Sequence, residues 1–79
     1  MTTFYVSTPW EPTPRRFSFP PEESVGSAAG KVTVAFERPG NRPSFQRADG
    51  VVLDRSATLS EVGVTEGETL ELNDVGGSV

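Results

Sequence analysis

The chain has no cysteine, no histidine and, in 79 residues, no isoleucine. Without cysteine there is no disulfide framework, no thiolate metal site and no thioester-forming nucleophile. Without histidine the commonest general base and metal ligand is missing. Carboxylates alone remain for acid–base chemistry, and so short a chain has little room for a cleft that excludes water. No catalytic residue, metal or cofactor is expected. No apolar run approaches the roughly 18 residues of a membrane span, and Met1 to Trp10 lacks the charged and apolar regions of a secretory leader. The net charge is -4, from seven basic and eleven acidic residues, which argues against a nucleic-acid partner. These absences predict a soluble cytoplasmic protein that acts by being bound or attached.

Leu, Val and Phe make up 24% of the chain, above the roughly 20% below which a charged chain stays disordered. The length allows one domain with an economical core. Phe4 and Val6 alternate with polar neighbours and Tyr5, as in a half-buried strand, and Arg16-Phe17-Ser18-Phe19 resumes that alternation. Between them Pro9, Pro12 and Pro14 donate no hydrogen bond, so the spacing predicts a hairpin with a long tip over Thr8 to Pro14. Ser24 is a candidate N-cap, preceded by Glu22 and Glu23. Val25, Ala28, Ala29, Val32 and Phe36 then recur at helical spacing. Val32, Val34 and Phe36 also alternate as a strand would, but the helical stripe is longer and the helix is preferred. Arg38 to Pro43 reads as a loop.

Asp49-Gly50, between Ser44–Ala48 and Val51–Leu53, predicts a short hairpin whose two central residues have positive φ. Thr58-Leu59-Ser60-Glu61 has the spacing of a capping box, with Leu59 and Val62 pinned by a single helical turn and Val64 returning to the core. Thr69 to Asn73 reads as a strand with Leu70 and Leu72 inward. The expected core comprises Phe4, Val6, Phe17, Phe19, Val25, Val32, Leu53, Leu59, Leu70 and Leu72. Residues 75–79 have no periodicity and read as a mobile tail, so the organisation is a domain over 1–74 and a tail over 75–79. A hairpin, a helix and returning strands give an α+β layout: a mixed sheet of four to five strands packed on one helix.

From Ser44 onward the sequence resembles ubiquitin and its relatives. Asp49-Gly50 before Leu53-Asp54, then Ala57 to Val64, then Gly67 to Leu72 and finally Gly76-Gly77 carry the resemblance. It is similar above all to the small ubiquitin-like proteins of bacterial conjugation operons, which implies a ubiquitin-like β-grasp fold. The residue-level match covers about the last 35 residues, and no single motif in it is diagnostic. What the resemblance implies is a protein modifier with no catalysis of its own. An activating enzyme adenylates the terminal glycine, and a conjugating enzyme delivers it to target proteins. Ser78 and Val79 follow the diglycine, so a processing peptidase would first remove them to expose Gly77. A sulfur carrier and a non-conjugated β-grasp adaptor share the fold and stand as alternatives. The first normally ends at the second glycine; in the second, Gly-Gly-Ser is simply a flexible end.

Four further features bear on partners. Trp10, between prolines, is either a partner anchor or a lid folded over the sheet's open end. Where ubiquitin presents an apolar patch, the corresponding region here carries Gln46, Arg47, Glu71 and Asn73, so readers of ubiquitin are not expected to recognise it; Gln46, Arg47 and Glu71 are candidate contacts for a different partner. Lys31 is the only lysine, so amide-linked chains would grow through Lys31 or the amino terminus, with Ser or Thr hydroxyls as the ester-forming alternative. Glu61, Glu66, Glu68, Glu71 and Asp74 crowd the last third, which reads either as a solvated face or as a steering surface for a basic partner.

Overall fold

A computed structural model describes residues 1–9, 11–37 and 43–74 of the chain; Trp10, the loop residues 38–42 and the tail 75–79 lie outside them. The elements run β1 (Thr2–Thr8), β2 (Glu11–Phe19), α1 (Val25–Ala35), β3 (Pro43–Gln46) and β4 (Thr69–Asp74). The sheet has four strands in the order β2-β1-β4-β3. β1 pairs with β4 in parallel, and the two outer pairs are antiparallel. The sheet is therefore mixed, as expected for an α+β grasp of one helix.

Alternation along each strand sends one set of side chains to the helix. Phe4, Val6, Leu70, Phe45, Val25, Ala28, Ala29, Val32 and Leu59 are completely buried, and Phe19, Phe36, Leu53, Val64 and Leu72 nearly so. Of the expected core only Phe17 departs. It is half-buried and packs against the edge of the cluster, because β2 is an edge strand and the helix covers its inner face incompletely.

The start of α1 has its backbone donors satisfied one by one, as a buried helix end requires. Val25 N donates to Ala57 O (2.8 Å), Gly26 N to Arg55 O (3.0 Å) and Ala28 N to Ser24 O (2.9 Å). Ser27 N donates to the Ser24 hydroxyl (3.2 Å), so Ser24 is the N-cap. The helical reading of 31–36 is the correct one. At the other end Glu37 takes a left-handed φ of 57°, and Arg15 Nη1 donates to Ala35 O at 3.2 Å.

Three expectations need correction. The hairpin tip is short: β2 begins at Glu11 and runs through Pro12 and Pro14. Proline is tolerated on an edge strand and beside a bulge. Both conditions hold, since β2 is outermost and the register shifts between Val6↔Arg15 and Thr8↔Glu11. The Asp49-Gly50 turn is of another type. Gly50 N donates to Arg47 O (2.9 Å) and Arg47 N to Val51 O (2.8 Å). Ala48 and Asp49 are thus the central residues and only Gly50 has positive φ, at 91°. This is a three-residue loop with a glycine bulge, which demands nothing unusual of Asp49. Finally, the strand expected over Ser44–Ala48 ends at Gln46, and Val51–Leu53 contributes only one bridge, Gln46↔Val52.

Two helix glycines differ in their surroundings. A Cβ on Gly26 would stand 3.0 Å from the Arg55 guanidinium carbon, and Arg55 is itself held by Nε donating to Pro43 O at 2.8 Å. A Cβ on Gly30 would meet nothing within 4 Å. Gly30→Ala is therefore expected to raise the unfolding free energy by about 0.5–1 kcal/mol, and Gly26→Ala to gain less. Urea unfolding of the two variants tests this; equal gains would mean that Arg55 yields freely.

Candidate functional site

The helix covers one face of the sheet, and among the described residues no helix or strand covers the other. By alternation with the buried residues it carries Thr3, Tyr5 and Ser7 from β1, Arg16 and Ser18 from β2, Thr69, Glu71 and Asn73 from β4, and Gln46 from β3. The register sets Glu71 beside Ser7 on one side and Gln46 on the other. A groove of about 270 Å³ opens there, lined by Ser7, Gln46, Arg47, Ala48, Thr69, Leu70 and Glu71. The structure thus brings together Gln46, Arg47 and Glu71, three of the residues proposed from sequence as partner contacts. It adds Ser7 and Thr69, which only the parallel β1–β4 pairing identifies.

Polar and apolar atoms line the groove about equally, and its polar side chains are partly locked. Asn73 Nδ2 donates to Gln46 Oε1 at 2.6 Å. Arg47 Nε donates to Glu68 Oε2 at 2.9 Å, and Glu68 Oε1 accepts from Thr65 N at 3.0 Å. Burial pushes the Glu68 carboxyl up, but the hydrogen bonds from Arg47 and Thr65 outweigh it and hold the group below its ordinary value. Tyr5, 37% exposed, and Val52, 42% exposed and bridged to Gln46, are large apolar side chains on this open face.

The acidic run of the last third does local work. The expected capping box is present: Thr58 N donates to Glu61 Oε1 (2.8 Å) and Glu61 N to Thr58 Oγ1 (3.0 Å). Glu66 Oε1 accepts from Thr3 N at 3.0 Å, tying the start of β1 to the loop before β4. With Glu68 engaged as well, three of the four glutamates accept from backbone donors. The Thr65–Glu68 bond escaped the sequence reading, although Thr-x-x-Glu recurs there at the spacing that had identified Thr58 and Glu61.

Because the folded carboxyl of Glu68 lies below its ordinary value of 4.5, its bonds favour the ionised state. Their contribution is present above that value and is lost as pH falls through the lower folded one. Glu68→Gln is thus expected to cost about 1 kcal/mol at neutral pH and nothing in acid below the folded value. Urea unfolding from neutral to acid pH, parent against variant, reads this; a pH-independent difference would contradict it.

Lys31 sits on α1, on the other side of the sheet. Its Nζ is 2.8 Å from Glu23 Oε2, with the ammonium side chain 62% exposed. The same carboxylate oxygen accepts from Ser27 Oγ at 2.7 Å. Hydrogen bonds from Lys31 and then Ser27 hold the Glu23 carboxyl below its usual value. Trp10, Gly76, Gly77, Ser78 and Val79 lie outside the described residues. Among those described, no helix is long and apolar enough to cross a membrane, and no group of three acidic side chains is placed to hold a metal ion.

The whole arrangement recurs in solved structures. A ubiquitin-like domain of an Arabidopsis thaliana protein, solved by NMR, superposes with a TM-score of 0.74 at 22% identity, covering 91% of this chain and 74% of that one. The fold is that of a ubiquitin-like domain. ATBAG1, crystallised in complex with HSP70, superposes with a TM-score of 0.77 at 16% identity, covering 99% of this chain and 42% of that one. The ubiquitin-like chain here thus spans less than half the length of ATBAG1. No protein-family model matches the sequence, and no curated protein does.

Proposed function

We propose that this ubiquitin-like chain is a protein modifier of a bacterial conjugation pathway, cleaved after Gly77 and attached through the carboxylate so exposed. The observation that carries the reading is the position of Gly76-Gly77. On a ubiquitin-like frame the pair comes one residue after β4, whose last residue is Asp74. In an extended tail threading a narrow channel, glycine lets the backbone approach where a Cβ would collide. The chain is then the passenger: an activating enzyme, a conjugating enzyme, a processing peptidase and target proteins do the chemistry, in the cytoplasm. Lys31 is the only side-chain amine available for chains of the protein, its exposed ammonium resting on Glu23.

A second reading is a β-grasp adaptor that is never conjugated. The similarity to ATBAG1 favours it, since there the fold occurs in a longer chain and in complex with HSP70. Intact mass after incubation in a lysate of the source cells separates the two. The modifier is expected to lose whatever follows Gly77; a thiocarboxylate would indicate a sulfur carrier; an unchanged mass would indicate the adaptor.

A further inference from the structure

We propose that Thr13 is a phosphorylation site, modified by a proline-directed protein kinase, and that the Arg15 guanidinium receives the new phosphate. This goes beyond the tail chemistry proposed above and does not depend on it.

The sequence around the site is Pro12-Thr13-Pro14-Arg15-Arg16. The register passes from Val6↔Arg15 to Thr8↔Glu11, so Ser7 alone stands opposite Pro12, Thr13 and Pro14. Such a bulge leaves its extra residues out of the ladder, and neither proline has an N–H to offer. β2 is also outermost, with no described strand on its far side. Thr13 is therefore exposed on an extended stretch that a kinase groove can grasp without opening the sheet. A pocket that takes the Pro14 ring asks for no N–H at that position, and Arg15 and Arg16 beyond it suit an acidic groove. Thr8-Pro9 repeats the dipeptide but not the setting. Thr8 is only 5% exposed, is paired with Glu11, and has its hydroxyl buried. The reaction is an ordinary phosphoryl transfer. Thr13 Oγ attacks the γ-phosphorus of a nucleoside triphosphate, and the bond from that phosphorus to the bridging β-phosphate oxygen breaks. The hydroxyl proton passes to a carboxylate of the kinase, and the nucleoside diphosphate leaves.

The fate of the phosphate follows from the ion pair that spans Thr13. Arg15 Nε and Nη2 donate to Glu11 Oε1 and Oε2 at 3.2 and 3.4 Å. The same guanidinium donates through Nη1 to Ala35 O at 3.2 Å and lies 4.5 Å from the centre of the Phe36 ring. Arg15 is thus a clasp between the hairpin tip and the C-terminal end of α1. Its side chain is 46% exposed, so a new anion beside it can reach it. A phosphothreonine carries a charge of about -1.5 to -2 at neutral pH and three strong acceptor oxygens. It repels the Glu11 carboxylate and outbids it for the guanidinium, whose planar fork suits phosphate. Arg15 then exchanges Glu11 for the phosphate and is drawn off Ala35 O and the Phe36 ring. Modification of Thr13 therefore unfastens the hairpin tip from the helix end. Arg16, the register partner of Tyr5 on the open face, takes no part in the clasp.

The test incubates the full chain with magnesium, ATP and a purified proline-directed threonine kinase, and maps the product by mass spectrometry of its peptides. One phosphate is expected, on Thr13, with Thr8 unmodified, and Thr13→Val is expected to take up none. The protein isolated from its source cells is expected to carry the same phosphate, removable by a phosphatase. Phosphorus NMR then reads the clasp. The second ionisation of the phosphate is expected below its ordinary value of about 6 in the parent and in Arg16→Gln, and back at that value in Arg15→Gln. The assignment of Thr13 is overturned if the phosphate falls on Thr8 or any other residue, or if Thr13→Val is modified as the parent is. It is also overturned if no phosphate is found with the purified kinase or in the cells. The role of Arg15 is overturned if Arg15→Gln leaves the ionisation where the parent has it.

Discussion

Leu70→Ala is expected to lower the unfolding free energy by about 2–5 kcal/mol, the range for a leucine deleted from a packed core. Leu70 is completely buried. It sits on β4, one of the two central strands, in register with Val6 on β1. That parallel pair joins the first strand to the last, and the side chains of both residues lie in the single cluster under α1. Few neighbours can relax into the space left, because Phe4, Phe45 and Leu59 in the same cluster are also fully enclosed. A domain of 79 residues is stable by about 4–12 kcal/mol at the usual per-residue value, so the substitution removes a large share. Equilibrium urea unfolding measures it through the shift in midpoint at constant slope. A variant unfolding within about 0.5 kcal/mol of the parent would place Leu70 outside the core.

The same core shows where the sequence could be read and where it could not. Leu70 and Leu72 are separated by one glutamate, so alternation identified both the strand and its inward face. The α1 stripe was legible because Val25, Ala28, Ala29 and Val32 stay on one side of the helix even with Gly26 and Gly30 inserted. Phe45 carried no such signal. It is the only large apolar residue of Pro43–Gln46, and one residue has no period; its burial follows from pairing with Leu72. The prolines misled for a related reason. Whether a missing N–H breaks a ladder depends on which side of the strand has a neighbour, and that is a property of sheet order.

The candidate site divides in the same way. Gln46, Arg47 and Glu71 were identified as surface by their polarity, yet their meeting in one groove depends on the β3–β4 register. Ser7 and Thr69 complete the groove only because β1 and β4 run parallel. The Asp49-Gly50 dipeptide was rightly read as a turn and wrongly typed. A glycine at positive φ serves both a two-residue turn and a three-residue loop with a bulge. The backbone of Asp49, of which the dipeptide says little, makes the difference.

Gly77→Ala carries the other large effect, for it is expected to abolish attachment while leaving the fold untouched. β4, the last described element, ends at Asp74, and among the described residues every member of the buried cluster lies before Asp74, so the melting curve is expected to match that of the parent. Chemistry at the Gly77 carbonyl is another matter. In the proposed modifier pathway a peptidase cleaves the Gly77–Ser78 bond, and an activating enzyme then brings the freed carboxylate to the phosphorus of a nucleotide. Both steps draw the backbone into a channel that a methyl group narrows. Displacement of a reacting atom by about 1 Å costs about a hundredfold in rate, so two such steps in series leave almost nothing. A chain ending at Gly77 bypasses the first step and is expected to be activated as it stands. Pyrophosphate exchange with the cognate activating enzyme compares the three: the truncated chain active, the full-length chain active only after peptidase treatment, and Gly77→Ala inactive either way. If full-length and truncated chains support exchange equally, removal of Ser78 and Val79 is no part of the pathway. If neither does, the diglycine is no conjugation tail, and the domain acts by docking alone.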